Sequence, residues 1–148
     1  MLVRILTIGI LSIGAFGAET IGNVTSSGTF SMRGVPVKIE GVPSWPLVVG
    51  DDLTTNASAA SIQFVDGSRV TLAQKSKAVL TKIDGKLTLR LVSGTMEYKL
   101  VRGSGLSLLN NNTPVTGVTG TVTTLPVGVV RAPVLAGRPA PPPPQSTQ

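Results

Sequence analysis

The side chains that could do chemistry in this chain are carboxylates, hydroxyls and lysines, because its 148 residues include no histidine and no cysteine. The usual general base, the nucleophilic thiol and the soft metal ligands are therefore missing. A serine–lysine hydrolase is conceivable, but no lysine has a serine or threonine three positions before it. We therefore expect a non-enzymatic protein with no catalytic residues, no cofactor and no metal site, and hydrolysis is a remote alternative.

Asp66 is the carboxylate with the most suggestive surroundings, since Asp66-Gly67-Ser68 lies between two alternating apolar runs. It could be a catalytic aspartate in a loop, or a residue that only builds a turn. A three-residue loop over 66–68, or a corner of similar length, would keep the apolar side chains on one face. That loop would pair Val65 with Arg69, Phe64 with Val70 and Ile62 with Leu72. Gly67 would supply the unusual backbone angles and Asp66 would bind nearby N–H groups, so we favour the turn.

Gly50 and the adjacent Asp51 are also predicted to shape a turn. The aspartates Asp51, Asp52 and Asp66 are too few, and wrongly spaced, for a recognisable calcium loop. Gly94 is predicted to open another short turn, in the stretch VSGTM. The complete predicted turn motif is Gly50, Asp51, Asp66, Gly67, Ser68 and Gly94.

Positive charge is concentrated in one part of the chain, where residues 69–102 hold eight basic side chains and two acidic ones. Such a surface could bind an anionic polymer of the cell envelope. The alternative is that these lysines cover solvent-facing strand positions and block edge pairing. The candidate basic binding face is Lys75, Lys77, Lys82, Lys86 and Arg90. Nucleic acid is not an expected partner, because one Trp, one Tyr and three Phe are too few for base stacking.

The N-terminal stretch MLVRILTIGILSIGAFGAET is typical of an export signal, with Arg4 before an apolar run and small residues at the end of that run. Residues 1–17 are the predicted signal peptide. Cleavage after Ala18 and retention as an uncleaved anchor are the alternatives. No later stretch is apolar for long enough to span a membrane. We therefore expect a bacterial periplasmic, secreted or cell-surface protein with no stable membrane span after cleavage.

The rest of the chain predicts an all-β fold, because alternating apolar runs recur every 8–12 residues with Gly, Asn and Asp between them. We expect short antiparallel strands and tight turns in one stacked-sheet or solenoid-like domain over residues 18–124. Asp84-Gly85 predicts a two-residue hairpin that pairs Leu80 with Leu89. Residues 125–148 contain PAPPPP and predict a disordered Pro-rich tail.

The run GDDLTTNASAASIQFVDGSRVTLAQKSKAVL, together with LRLVSGTMEY, resembles the FecR-type domain of exported bacterial proteins. The matching positions include Gly50-Asp51, Leu53-Thr54, Asp66-Gly67-Ser68 and the strand segments around them. The resemblance covers about residues 24–101. The stretch VTGVTGTVTT departs from the aromatic-containing strand that is more usual in that family.

This resemblance implies a non-enzymatic all-β module that acts in the periplasm in sensing or protein interaction. The best-known members regulate sigma factors and relay a signal from an outer-membrane receptor. Only Met1 to Arg4 precede the hydrophobic stretch here, so we expect a stand-alone exported domain without an anti-sigma segment. Its expected partner is a protein of the cell envelope, and the alternatives are binding of an anionic envelope polymer and self-assembly.

Overall fold

The computed structural model describes residues 17–125, and within that range the chain forms strands and turns with no helix. The strands are β1 Thr20–Ser26, β2 Phe30–Met32, β3 Val35–Val37, β4 Trp45–Val48, β5 Asp52–Thr55, β6 Ala60–Phe64, β7 Arg69–Leu72, β8 Lys77–Ile83, β9 Lys86–Lys99, β10 Leu106–Asn110, β11 Thr113–Pro114 and β12 Thr119–Thr124. The predicted all-β class is confirmed.

The strands form one curled sheet with two halves, which we call half A and half B. Half A has the order β4, β1, β6, β7, the C-terminal part of β9, and β12. Half B has the order β3, β2, β5, β8, the N-terminal part of β9, β10, and β11. All neighbours are antiparallel except β10 and β9, which run parallel. Because β9 belongs to both halves, it joins them into one sheet.

The core lies between the two halves and is built by the alternation of side chains along each strand. Leu89 and Leu91 of half B and Met96 and Tyr98 of half A all come from β9 and are buried. They share one hydrophobic cluster with the inward residues of the other strands. Burial of an aliphatic or aromatic side chain contributes about 1.5–3 kcal/mol. The alternating apolar pattern predicted from the sequence is therefore confirmed in β9. Its buried residues face the core that the two halves share.

Four chain segments pass from one half to the other side by side, along a line that we call the spine. These segments are residues 27–29, 56–59, 73–76 and 92–94. At the spine, the Thr55 hydroxyl accepts a hydrogen bond of 2.9 Å from the Ser76 backbone N–H. The Ser76 hydroxyl accepts one of 3.0 Å from the Thr95 N–H and donates one of 3.1 Å to the Thr95 carbonyl. These short hydroxyl side chains satisfy backbone groups where the sheet bends.

The predicted turn at Gly94 is wrong, because β9 continues through it from Lys86 to Lys99. The pairing shifts instead: Lys77 lies opposite Ser93 and Ala78 opposite Leu91, so one residue of β9 is unpaired there. Such a bulge bends a strand and increases its twist without ending it. Gly94 has a φ of 88°, and a Cβ at this position would lie 2.5 Å from the Ser76 Cα.

The predicted hairpin at Asp84-Gly85 is confirmed in its register. Leu80 pairs with Leu89, and Ile83 pairs with Lys86 across the turn. Asp84 and Gly85 have φ values of 49° and 76°. A two-residue turn with positive φ at both positions matches the right-handed twist of the flanking strands.

The loop around Asp66 has the predicted length but a different position. The Phe64 N–H donates to the Ser68 carbonyl at 2.9 Å, so the three loop residues are 65–67. The predicted pairs of Val65 with Arg69, Phe64 with Val70 and Ile62 with Leu72 are wrong, because Gln63 pairs with Arg69, Ile62 with Val70 and Ala60 with Leu72. Gly67, with a φ of 88°, supplies the left-handed residue that ends a three-residue hairpin loop. The loop begins one residue earlier than predicted, and the pairing of the two strands shifts by two residues in total. Because side chains alternate with a period of two, the apolar side chains still share one face.

Residues 1–16 and 126–148 lie outside the part of the chain that the structure describes. The predicted signal peptide, apart from Gly17, and the predicted Pro-rich tail, apart from Leu125, fall there. Within residues 17–125 no helix is long and apolar enough to cross a membrane.

We expect Gly94→Ala to lower the free energy of unfolding by about 2–5 kcal/mol, because left-handed backbone and overpacking against Ser76 are both unfavourable. Gly85→Ala is the matched control: its φ is also positive, but no atom lies within 4 Å of its added Cβ. Urea denaturation of both variants measures the difference. Equal destabilisation of the two variants would show that the spine does not require a glycine at position 94.

Candidate functional site

Asp51 of the predicted turn motif is a buried structural residue. Its side chain is 0% exposed, and its carboxylate accepts a 2.8 Å hydrogen bond from the Val48 N–H and an ion pair from Arg33. Its backbone carbonyl accepts from the Leu80 N–H at 2.8 Å, and the Gly50 N–H donates to the Leu80 carbonyl at 2.9 Å. The Asp51 carboxylate therefore joins the β4–β5 connection to the β2–β3 turn and offers no open site for a ligand, while the backbone of Gly50 and Asp51 pairs with β8.

Asp66 lies in a small polar cluster that joins two loops of the chain. Its carboxylate accepts hydrogen bonds from the Ser68 N–H at 2.8 Å, from the Ser68 hydroxyl at 3.1 Å and from the Ser104 hydroxyl. The Ser68 hydroxyl accepts from the Val101 N–H, and the Ser104 hydroxyl from the Leu106 N–H, both at 3.1 Å. The 65–67 loop is thereby fastened to the loop between β9 and β10.

The chemistry open to the Asp66 cluster is limited. Burial opposes ionisation of Asp66, but the hydrogen bonds donated by Ser104 and Ser68 outweigh it, so the pKa of this carboxyl lies below its ordinary value. A carboxylate with a lowered pKa is a weak base and would not activate a serine hydroxyl at neutral pH. Both hydroxyls are also engaged with backbone N–H groups. The arrangement is that of a structural cluster that holds the 65–67 loop against the loop between β9 and β10.

The five residues of the predicted basic face do not lie on one face. Lys77, Lys86 and Arg90 occupy outward positions of half B, whereas Lys82 follows the inward register of Ala78 and Leu80. Lys75 lies in the spine segment, and Lys77 forms an ion pair of 3.6 Å with Asp52. The prediction failed because alternation along β8 sends Lys77 and Lys82 to opposite sides of the sheet.

A basic pair that the sequence analysis did not single out lies on the outer face of half A. Arg69 of β7 and Lys99 of β9 are directly opposite each other in the antiparallel pairing. Only the register of two strands separated by 30 residues brings them together. Their spacing along the chain gives no signal, and both were counted only within the total charge of residues 69–102.

The outer edges of the sheet differ in how they are protected. Edge strands β3, β4 and β11 contain Pro36, Pro46 and Pro114, respectively. Proline lacks a backbone N–H and prevents a further strand from pairing. Among the described edges, β12 is uncharged, has no proline, and pairs only with β9.

Alternate residues of β12 direct their backbone N–H and C=O groups toward the free edge of the sheet. The Leu100 N–H donates to the Val118 carbonyl at 2.6 Å. This bond shows which opposite residues of the β9–β12 ladder exchange hydrogen bonds and which do not. In an antiparallel ladder, residues of intervening pairs direct their N–H and C=O groups away from the partner. Thr119 and Thr121 therefore present unpaired backbone groups at the edge. The Thr123 carbonyl is already bonded, at 3.4 Å, by the Asn110 side chain.

No group of three or more acidic side chains within residues 17–125 could hold a metal ion. Comparison with models of protein families, with curated proteins and with solved structures found no match.

We expect Asp51→Asn to lower the free energy of unfolding by about 1–3 kcal/mol, since it weakens a buried network and can leave the Val48 N–H poorly satisfied. Arg33→Gln should cost less than Asp51→Asn, because the shorter amide can still donate to the buried Asp51 carboxylate and the carboxylate keeps its bond to the Val48 N–H. Chemical denaturation of both variants tests this asymmetry. A larger loss for Arg33→Gln would mean that the ion pair, and not the backbone cap, dominates.

We expect the stability difference between the wild type and Asp66→Asn to depend on pH. A carboxyl whose pKa is lowered on folding stabilises the fold above its ordinary value of 3.8, and that contribution is lost as the pH falls through the folded pKa. The difference should stay below about 1 kcal/mol because Asp66 is largely exposed. Unfolding titrations between pH 7 and about pH 2 measure it. A difference that grows on acidification would contradict the assignment.

Proposed function

We propose that this chain is an exported, non-enzymatic FecR-type module that binds a protein partner in the bacterial cell envelope. Export rests on the signal-like residues 1–17, and the FecR assignment rests on the strand and turn pattern of residues 24–101. The protein acts in the periplasm or at the cell surface. Its role is recognition, in sensing or in assembly of a complex.

The observation that supports partner binding best is the unprotected edge of β12. An extended segment of a partner adds to such an edge as a further strand, with affinity supplied by main-chain hydrogen bonds. Thr119 and Thr121 would each offer one N–H and one C=O to it. Since β12 bears no charge, the edge does not repel an incoming strand.

Binding of an anionic envelope polymer is the second candidate. It is favoured by Lys86 and Arg90, which share the outward face of half B and form no ion pair with an aspartate or glutamate of residues 17–125. Such binding would weaken with salt because exposed charges are screened. Self-assembly through β12 is the third outcome that the same edge permits.

We expect Thr121→Pro to abolish partner capture while leaving the fold intact. The substitution removes an N–H at the free edge and leaves the β9–β12 ladder unchanged. Thr121→Ala is the matched control, since it removes the side chain and keeps the N–H. The measurement is crosslinking of the tagged full-length chain in its native cells, followed by mass spectrometry, which also reads the mature N-terminus.

A discrete protein captured by the wild type and by Thr121→Ala, but not by Thr121→Pro, supports the proposal. Equal capture by both variants would reject the β12 edge as the binding element. Recovery of the chain alone would favour self-assembly, and recovery of heterogeneous glycan would favour the polymer. An intact Met1 would contradict cleavage of the signal.

A further inference from the structure

We infer that the outer face of half A carries an oxyanion site, centred on Arg69 and Lys99, for a carboxylate- or phosphate-bearing ligand. The site goes beyond the proposed function, since it lies on a sheet face and requires no strand addition at β12. It also differs from the predicted basic face, whose five residues are elsewhere. The inference rests on charge, register and the shape of the surface.

The first argument is the position of the two charges. Arg69 and Lys99 are directly opposite each other, which brings their Cβ atoms to about 4.5–5.5 Å. Like charges in such a pair destabilise a sheet. The ion pairs within residues 17–125 are Arg33–Asp51 and Lys77–Asp52, so neither cation is neutralised by a carboxylate. A bound anion would compensate both charges at once.

The second argument is that Arg69 is held in place before any ligand arrives. The Gln63 side-chain oxygen accepts hydrogen bonds from Arg69 Nε at 3.0 Å and from Nη2 at 2.9 Å. The Gln63 side-chain nitrogen in turn donates to the Ser68 carbonyl at 3.5 Å. Fixing one side of the guanidinium leaves its other donors directed outward and reduces the entropy lost on binding. Gln63 is therefore a positioning residue for this site.

The third argument is the form of the surface. Arg69, Lys99 and Gln63 line a concavity of about 410 Å³ together with Gly67, Leu100 and Val101. Thr119 lies beside Lys99, and Asn23 lies beside Gln63, in the same row across the sheet. These short polar side chains allow a hydrated or hydroxyl-bearing ligand to lie flat. Arginine and lysine together suit a carboxylate or phosphate group, which accepts several charge-assisted hydrogen bonds.

Glu97 is the acidic group on the same face, two residues before Lys99 on β9 and opposite Thr71 of β7. It forms no ion pair with either cation, but its charge opposes an incoming anion. It therefore lowers the affinity of the site without occupying it. Asp66, next to Gly67, is already engaged by Ser68 and Ser104.

The test is an NMR titration of the isotope-labelled full-length chain with inorganic phosphate, following the Arg69 side-chain Nε–H and the Lys99 amide. We expect saturable shifts of both signals in the wild type. In Arg69→Gln, where only the Lys99 amide remains to be followed, we expect binding at least about tenfold weaker because charge-assisted hydrogen bonds are lost. Glu97→Gln should tighten binding several-fold. Lys38→Gln is the charge-matched control, since Lys38 is exposed and lies outside the site. It should leave the titration unchanged.

Thermal unfolding separates a binding defect from a folding defect. Arg69→Gln should unfold close to the wild type without phosphate, because removal of a repulsive pair offsets the loss of the hydrogen bonds to Gln63. Phosphate should raise the Tm of the wild type and not that of the variant. A second titration with polyphosphate distinguishes a polymer-borne phosphate from a free anion as the ligand. Much tighter binding of polyphosphate, followed by the same Arg69 signal, assigns a polymer-borne group. Equal affinity per phosphate assigns a free anion. No shift of the wild-type Arg69 Nε–H with either probe, or an equal shift of the Lys99 amide in Arg69→Gln, would overturn the inference.

Discussion

The rest of the structure depends on the hydrogen bonds of Ser76 at the spine, where its hydroxyl meets both backbone groups of Thr95. A sheet that folds over must interrupt its ladders along the bend, and buried backbone groups left unpaired are costly. The Ser76 hydroxyl satisfies the Thr95 N–H and adds a hydrogen bond to the Thr95 carbonyl, which also accepts from the Ala73 N–H. The Thr55 hydroxyl satisfies the Ser76 N–H in the same way. Gly94 makes this possible, since any side chain there would occupy the space of Ser76. Both halves can then face one core.

The two carboxylates of the predicted turn motif serve this architecture. The Asp51 carboxylate bonds the Val48 N–H and the Arg33 side chain of the β2–β3 turn. The Asp66 carboxylate bonds the Ser68 N–H and the Ser104 hydroxyl of the β9–β10 loop. Both carboxylates accept hydrogen bonds from fixed donors, Asp51 in the interior and Asp66 in an exposed loop. Both carboxylates therefore serve the fold, and the recognition that we propose uses the outer surfaces of the sheet.

Those outer surfaces offer two kinds of recognition. The β12 edge presents unpaired main-chain groups, which select an extended strand with little regard to its side chains. The outer face of half A presents fixed side-chain donors, which select charge and geometry. Thr119 borders both, because it belongs to β12 and lies beside Lys99. A partner strand with a suitably placed acidic side chain could therefore contact both surfaces at once.

The sequence by itself determined the strand content, the inward and outward alternation and the Asp84-Gly85 hairpin, because these depend on local periodicity and on turns of two residues. It also identified Asp66 and Gly67 as loop residues. The position of that loop was missed by one residue on each strand, since both registers keep Ile62, Phe64, Val70 and Leu72 on one face. Alternation alone cannot distinguish them.

Only the tertiary structure decided how β9 crosses from one half to the other and which charges meet. The bend at Gly94 depends on Ser76, 18 residues earlier in the chain, so VSGTM alone resembles a turn. The Arg69–Lys99 pair and the separation of Lys77 from Lys82 likewise follow from strand pairing and facing. Such long-range registers are fixed by burial of the whole core, and no short segment contains the information that determines them.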